Sequence, residues 1–193
     1  MPRRSTIFQQ DYVFHAMNRG AGKAEIFLAD EDYLFLLNLM FSYAERMNIT
    51  VPVYCLMPNR YNLLLKQNGE IPVNDFIRNT FSVYARWFNK KHDRTGTPFE
   101  GRFKAKFVED DFFKQCLCGY ILFNPVKENR VARPEDWKYS NARPLLDTGI
   151  LEDSQNGFIH ELFGTHEKFR DFMDCLDLET VLRMSGFSSY MLG

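Results

Sequence analysis

The sequence lacks a long apolar run, and it contains only four cysteines among its 193 residues. No segment approaches the ~20 apolar residues that cross a bilayer, and residues 1–10 contain Arg3 and Arg4 without the apolar core of a signal peptide. The cysteines lack the spacing of a zinc site, and a disulfide framework is not expected without an export signal. We therefore expect a cytoplasmic protein with no membrane partner.

The chain also has almost no net charge, at −1, but its charges are unevenly distributed. Residues 1–143 contain 21 Lys and Arg against 16 Asp and Glu, whereas residues 144–193 contain 3 against 9. The first part can present a basic face to a polyanion, and the acidic remainder would shield it, regulate it or add solubility. The predicted division is a domain that binds a polyanion at 1–143 and an acidic helical extension at 144–193.

Hydrophobic periodicity predicts an alternation of strands and helices. Apolar residues alternate in the strands, recur every three or four positions in the helices, and are separated by Gly, Pro and Asn turns. The predicted elements are a strand at Tyr12–Arg19, a helix capped by Asp30, a hairpin of Val51–Met57 and Arg60–Lys66 around Pro58-Asn59, a helix at Val73–Phe88, a strand near Arg102–Phe107, a helix at Phe112–Asn124 stopped by Pro125, and two short helices near Phe158–Phe163 and His166–Leu176.

This β-α-β-β-α-β-α order predicts an α+β fold, with an antiparallel sheet, helices packed on one face, and additional C-terminal helices. Side chains alternate across a strand, so the strand near residue 104 has two different faces. Phe103, Ala105 and Phe107 point to the core. Arg102, Lys104 and Lys106 point away from it and form a basic face.

Five motifs in one order carry a family resemblance: NRG at 18–20, MPN at 57–59, RTGTPFEGRFKAKFVED at 94–110, YILFNPVKENRV at 120–131 and DWKYSNAR at 136–143. Over residues 4–176 the chain resembles the REP-associated tyrosine transposases. These belong to the single-tyrosine HUH transposases similar to the insertion-sequence-200 group. The resemblance implies a ferredoxin-like HUH fold, single-stranded or hairpin DNA as partner, Mg²⁺ or Mn²⁺ as cofactor, and action as a monomer or homodimer.

The resemblance also implies the reacting groups. A tyrosine at the position of Tyr120 would attack a phosphodiester and form a 5′-phosphotyrosine, with Asn124 one helical turn away as a metal ligand. The family's two metal-binding histidines fall on the strand after MPN, where this chain has Arg60 and Asn62 on either side of Tyr61. Arginine cannot coordinate a cation, so Arg60 either binds a phosphate directly or is a solvated surface residue. Asn62 and Asn124 would be weak or vestigial metal ligands.

The candidate DNA-binding residues are the cations near the strands and at the end of the second long helix. They are Arg19, Lys23, Arg60, Arg86, Lys90, Lys91, Arg102, Lys104 and Lys106. Among the four histidines, His15 is predicted to lie on a strand next to the strand that carries Arg60 and Asn62. A structural role is favoured for this histidine.

Three functions are open from the sequence. The favoured one is a transposase-like DNA-binding protein whose nicking is impaired or absent. The alternatives are an active single-tyrosine transposase that uses Tyr120, and a protein-interaction module that uses the acidic C-terminal helices.

Overall fold

The strands and helices predicted from periodicity are present in the computed structural model, which describes residues 9–147 and 153–176, without the side chains of 153–156. The strands are β1 (Val13–Arg19), β2 (Ile49–Met57), β3 (Arg60–Gln67) and β4 (Lys104–Phe107). The helices are α1 (Asp30–Met47), α2 (Val73–Lys91), α3 (Asp111–Lys127), α4 (Ala142–Leu146), α5 (Asp153–Phe163) and α6 (His166–Cys175). None of the described helices is long and apolar enough to cross a membrane.

The described residues divide into two compact units. The sheet unit comprises residues 9–51 and 56–108, and the C-terminal unit comprises residues 52–55, 109–147 and 153–176. The boundary predicted after residue 143 stays a prediction.

The strands form one antiparallel sheet in the order β2-β3-β1-β4. β1 pairs with β3 and with β4, and this register sets Met17 opposite both Asn62 and Lys104. The predicted α+β class, with an antiparallel sheet and helices packed around it, is confirmed. The tight connection at Pro58-Asn59 is also confirmed, and Gly20 donates its backbone N–H to the Asn59 carbonyl over 2.8 Å.

An aromatic core joins one face of the sheet to α2. The Tyr61 ring stacks on Phe81 at a centroid distance of 3.9 Å, and Phe99 meets Phe81 edge-on at 5.7 Å. Tyr84 is fully buried and its hydroxyl donates to the Ile26 carbonyl. Tyr84 is therefore a core residue, and the helix-facing side of the sheet carries this aromatic core.

The start of α1 differs from the prediction. The N-cap is Ala29, and Asp30, which was predicted to cap, is the first helical residue. The carboxylate of Asp32 accepts the backbone N–H groups of Leu28 and Ala29 at 2.7 and 2.9 Å instead. Burial alone would raise the pKa of Asp32, but hydrogen bonds from Lys91, His92 and these amides lower it. One buried carboxylate therefore replaces the expected cap.

The helix α3 of the C-terminal unit begins as predicted but ends later. The Asp110 side chain caps it by accepting the Phe113 N–H at 2.7 Å. The predicted stop before Pro125 is wrong, since the helix continues to Lys127. Proline cannot donate to the carbonyl four residues earlier, which is that of Ile121. The Asn124 side-chain amide donates to that carbonyl at 3.3 Å and to the Tyr120 carbonyl at 2.9 Å, and so compensates locally.

The predicted short C-terminal helices are present as α5 and α6, which pack through Phe163 and Phe169 at a centroid distance of 5.0 Å. The short helix α4 was not predicted. Just before it, the buried Asn141 donates to the Pro52 carbonyl at 2.8 Å and accepts the Tyr54 N–H at 2.9 Å. This amide of the DWKYSNAR motif thereby holds residues 52–55 within the C-terminal unit.

Candidate nucleic-acid-binding surface and nucleophile helix

The side of the sheet that faces away from α2 carries several of the functional candidates of the sheet unit. Paired residues of antiparallel strands point to the same side, and Tyr61 points toward α2, so its neighbours on β3 point the other way. The register therefore places together on this side the residues that we call the polar face: His15, Arg19, Arg60, Asn62, Lys104 and Lys106. Ala105 is buried and Lys104 is exposed, as the predicted alternation requires.

His15 and Asn62 form a buried polar pair on this face. They are 2% and 1% exposed, and His15 Nε2 lies 3.3 Å from Asn62 Oδ1. Burial lowers the pKa of His15 to about 4, against the raising effect of the Asn62 hydrogen bond and assisted by nearby Lys106. The ring is therefore neutral at neutral pH. An amide oxygen only accepts, so Nε2 carries the proton and donates.

The Asn62 amide nitrogen is buried and has no hydrogen-bond partner among the described residues. Such a donor is costly to bury, by about 1–3 kcal/mol, unless a ligand or water completes it. The polar face therefore contains a buried amide whose hydrogen bonding is incomplete among the described residues.

The cations of the polar face differ in how they are held. Arg19 forms a two-point ion pair with Glu100, whose second contact measures 2.9 Å. Arg60 is half-buried and lies opposite Arg19 in the register. Burial, and then the neighbouring Lys104, lower the pKa of Lys106. A ligand that brought negative charge to these groups would relieve the mutual repulsion.

The other predicted DNA-binding residues lie elsewhere in the sheet unit. Lys23 is exposed in the short turn after β1, and Arg102 is exposed just before β4 rather than within it. The remaining three, Arg86, Lys90 and Lys91, lie at the end of α2, on the helix side of the sheet. Lys91 bonds Glu31 at 2.8 Å and Asp32 at 2.9 Å, so it holds α1 to α2. The predicted basic set thus divides between two sides of the sheet.

The nucleophile candidate lies on α3. Tyr120 is half-buried, and the Lys127 ammonium lies 5.5 Å from the centroid of its ring. Asn124 is four residues along and 1% exposed, with its amide nitrogen bonded back to its own helix. The predicted pairing of the two residues along one side of α3 is therefore present, with Asn124 also serving the helix itself.

The two β3 positions do not fit a divalent cation. Arg60 offers only positively charged donors, and Asn62 directs its oxygen to the proton of His15 and leaves an N–H group unpaired. Among residues 9–147 and 153–176, no three His, Cys, Asp or Glu side chains cluster as a metal site would require. The assignment of Asn62 and Asn124 as weak metal ligands stays a prediction.

Sequence reasoning placed His15 on a neighbouring strand but missed its bond to Asn62. Alternation gives the side of a strand, whereas the register between β1 and β3 depends on a pairing 47 residues apart. It also missed Arg78 and Phe99, which line a groove beside α2. The available signal was the loop 94–101, whose Gly and Pro residues return the chain to the end of β1.

Comparison with known proteins identifies the fold. No protein-family model matches the sequence, and no curated protein is significantly similar to it. The structure is similar to that of a REP-associated tyrosine transposase bound to a REP hairpin, with a TM-score of 0.63 and 13% identity over 80% of this chain and 90% of that one. The chain therefore shares the fold of a REP-associated tyrosine transposase, as the motif resemblance predicts.

A second structure is of a protein from Deinococcus radiodurans R1, provisionally assigned as a transposase. It covers 67% of this chain and 97% of its own, at 15% identity and a TM-score of 0.43. That score is too low to support further structural argument.

Proposed function

We propose that this chain is a transposase-like protein that binds single-stranded or hairpin DNA through the polar face, with nicking impaired or absent. The observation that carries the proposal is the cationic polar face on a sheet whose fold is shared with a hairpin-bound transposase. Phosphates along a strand are the natural partners of such a surface, and the binding should be sensitive to salt.

Within this surface, Arg60 would bind a phosphate directly. A guanidinium forms charge-assisted, two-point hydrogen bonds with phosphate oxygens, and Lys104 and Lys106 add charge on the same side of the sheet. Asn62, two residues along the same strand, is buried and supports the strand from beneath rather than contacting the phosphate. A phosphate held in this way needs no metal ion.

Nicking places a stronger demand on the site. A phenol with a pKa near ~10 is a weak nucleophile at neutral pH, and the phosphodiester it attacks is anionic. In the family, a metal held by two histidines would offset this charge, and its loss removes several kcal/mol of transition-state stabilisation. Arg60 can neutralise a phosphate but cannot reproduce that ligand set.

The test is to mix the protein with a labelled hairpin oligonucleotide that has single-stranded flanks, in Mg²⁺, Mn²⁺ or EDTA. We expect a complex in a native gel that weakens with salt, equally in all three solutions, and no adduct that survives denaturation. A lack of any complex at low salt would refute the proposal of DNA binding.

A second candidate, an active nuclease that uses Tyr120, is favoured by one observation: Tyr120 and Asn124 keep the four-residue spacing on α3. Its signature is a metal-dependent adduct that Tyr120→Phe abolishes, and this result would replace the non-nicking proposal. If nicking appears only after Arg60→His with Asn62→His, the loss of the two histidines is the cause of its absence.

A further inference from the structure

A groove of about 630 Å³ lies on the helix side of the sheet unit, between α2 and the segment 97–103. This volume is within the range of about 300–1,000 Å³ that is common for small-ligand sites. We define the α2 groove by the rim residues that an occupant could reach: Asn18, Asn74, Arg78, Ser82, Arg102 and Phe103. Apart from Arg102, none of these belongs to the predicted DNA-binding set.

The outer wall of the α2 groove is held by backbone hydrogen bonds to the end of β1. Ala21 donates to the Pro98 carbonyl at 2.9 Å, and Glu100 donates to the Arg19 carbonyl at 2.8 Å. The Asn18 side chain donates to the carbonyl of Gly101, at 3.4 Å. A groove whose wall is already fixed loses little conformational entropy when a ligand enters.

The floor of the α2 groove is aromatic. Tyr61, Phe81 and Phe99 are packed together and nearly buried beneath it. Phe103 is half-buried and forms part of the lining, so one ring remains partly open at the edge. An apolar floor with an accessible ring suits a flat aromatic ligand.

The rim is polar and cationic. Asn74 carries an amide, a group that can both donate and accept, as the edges of nucleobases require, whereas the Asn18 amide is used within the wall. Arg78 is 64% exposed along its side chain and bonds Asp75 at 3.1 Å, a surface pair worth little energy that a phosphate can displace. Arg102 lines the opposite wall. Rings, amides and guanidiniums in one groove are the chemistry of a base with its phosphate.

We propose that the α2 groove binds an unpaired nucleotide of the DNA strand, with its base against Phe103 and its phosphate between Arg78 and Arg102. The inference rests on the proposed DNA-binding function and adds a second contact, on the side of the sheet opposite Arg60. Arg102 and Lys104 are separated by one residue and lead from the groove to the polar face. A strand leaving one surface can therefore reach the other.

The test compares a hairpin without unpaired flanks with the same hairpin carrying four unpaired thymidines on each side, by fluorescence anisotropy. We expect the flanks to strengthen binding by about tenfold, the scale of stacking one or two bases. Arg78→Ala and Ser82→Trp, which fills the groove without removing charge, should each abolish that gain and leave binding of the flank-free hairpin unchanged.

The matched controls are Arg46→Ala and Asn38→Trp, which make the same changes at exposed positions of α1 and should retain the full gain. With 5-iododeoxyuridine in the flank, photocrosslinks should map to the peptide that contains Phe99 and Phe103. A normal gain in both groove variants would overturn the inference, as would crosslinks confined to other segments. Absence of binding to either hairpin would instead refute DNA binding itself.

Discussion

The two sides of the four-stranded sheet contain different kinds of side chain on the same strands. Tyr61 points toward α2 and joins an aromatic stack, whereas Arg60 and Asn62, its neighbours on β3, point to the polar face. The first side contributes apolar burial, on which stability depends. The second contains a neutral histidine, an incompletely bonded amide and several cations. The side chain at position 60 can therefore change while Tyr61 keeps the strand in place.

The largest effect on the free energy of unfolding should come from removing an aromatic ring on the side of the sheet that faces α2. Phe81→Ala deletes a 6% exposed side chain that stacks on Tyr61. We expect a loss of about 3–5 kcal/mol in the free energy of unfolding, measured by urea denaturation. Leu34→Ala is the control, since that side chain is 54% exposed and should cost no more than about 0.5 kcal/mol. Similar losses in both variants would contradict the assignment of the core.

A smaller effect should come from His15 on the polar face, as a dependence of the free energy of unfolding on pH. The pKa of His15 falls from 6.5 in the unfolded chain to about 4 in the folded protein. As pH decreases through this window, the unfolded chain takes up the proton first, so stability is lost by up to about 3 kcal/mol. Above pH 6.5 both states are neutral, and His15 adds no pH dependence.

His15→Gln keeps a side-chain hydrogen-bond donor but does not titrate. It should flatten the stability profile between pH 6.5 and 4, followed by urea denaturation at each pH. His160→Gln, at an exposed position, should leave the slope unchanged. A slope retained in His15→Gln would show that other groups cause the loss.

The smallest effect is on DNA-binding affinity, and it tests which side of the sheet contacts the DNA backbone. Lys104→Ala with Lys106→Ala should weaken hairpin binding by about tenfold at ~0.1 M salt and reduce the salt slope by about 1.4–1.8. Arg86→Ala with Lys90→Ala removes the same charge from the end of α2, and we expect about a twofold loss. Titration by fluorescence anisotropy at several salt concentrations measures both. Equal losses would mean that the polar face is not the main binding surface.

Much of the fold followed from local patterns. Alternation around Ala105 gave the two sides of β4, and the apolar spacing from Val73 to Phe88 gave α2, because side-chain direction depends only on the period of the element. Local patterns failed where a distant or unusual partner replaced the expected one. Ala29 is the N-cap because the Asp32 carboxylate takes over the capping contacts, and Pro125 remains in α3 because Asn124 bonds the carbonyl that proline leaves unpaired.

The candidate site was less predictable than the fold. The sequence located Arg60, Asn62, Tyr120 and Asn124, since motif positions are a linear property. The contact between His15 and Asn62 depends on strand register, and the α2 groove depends on where the loop 97–103 packs. Both are tertiary properties that no spacing along the chain specifies.

The bonds of the Asn124 amide within α3 have an evolutionary consequence. A residue that stabilises a proline-containing helix is under selection for folding as well as for any reaction. A descendant of this chain that never cuts DNA would still benefit from asparagine at position 124, whereas the half-buried position 60 would be under less constraint from folding. Activity in such proteins is therefore better diagnosed from the strand than from the helix.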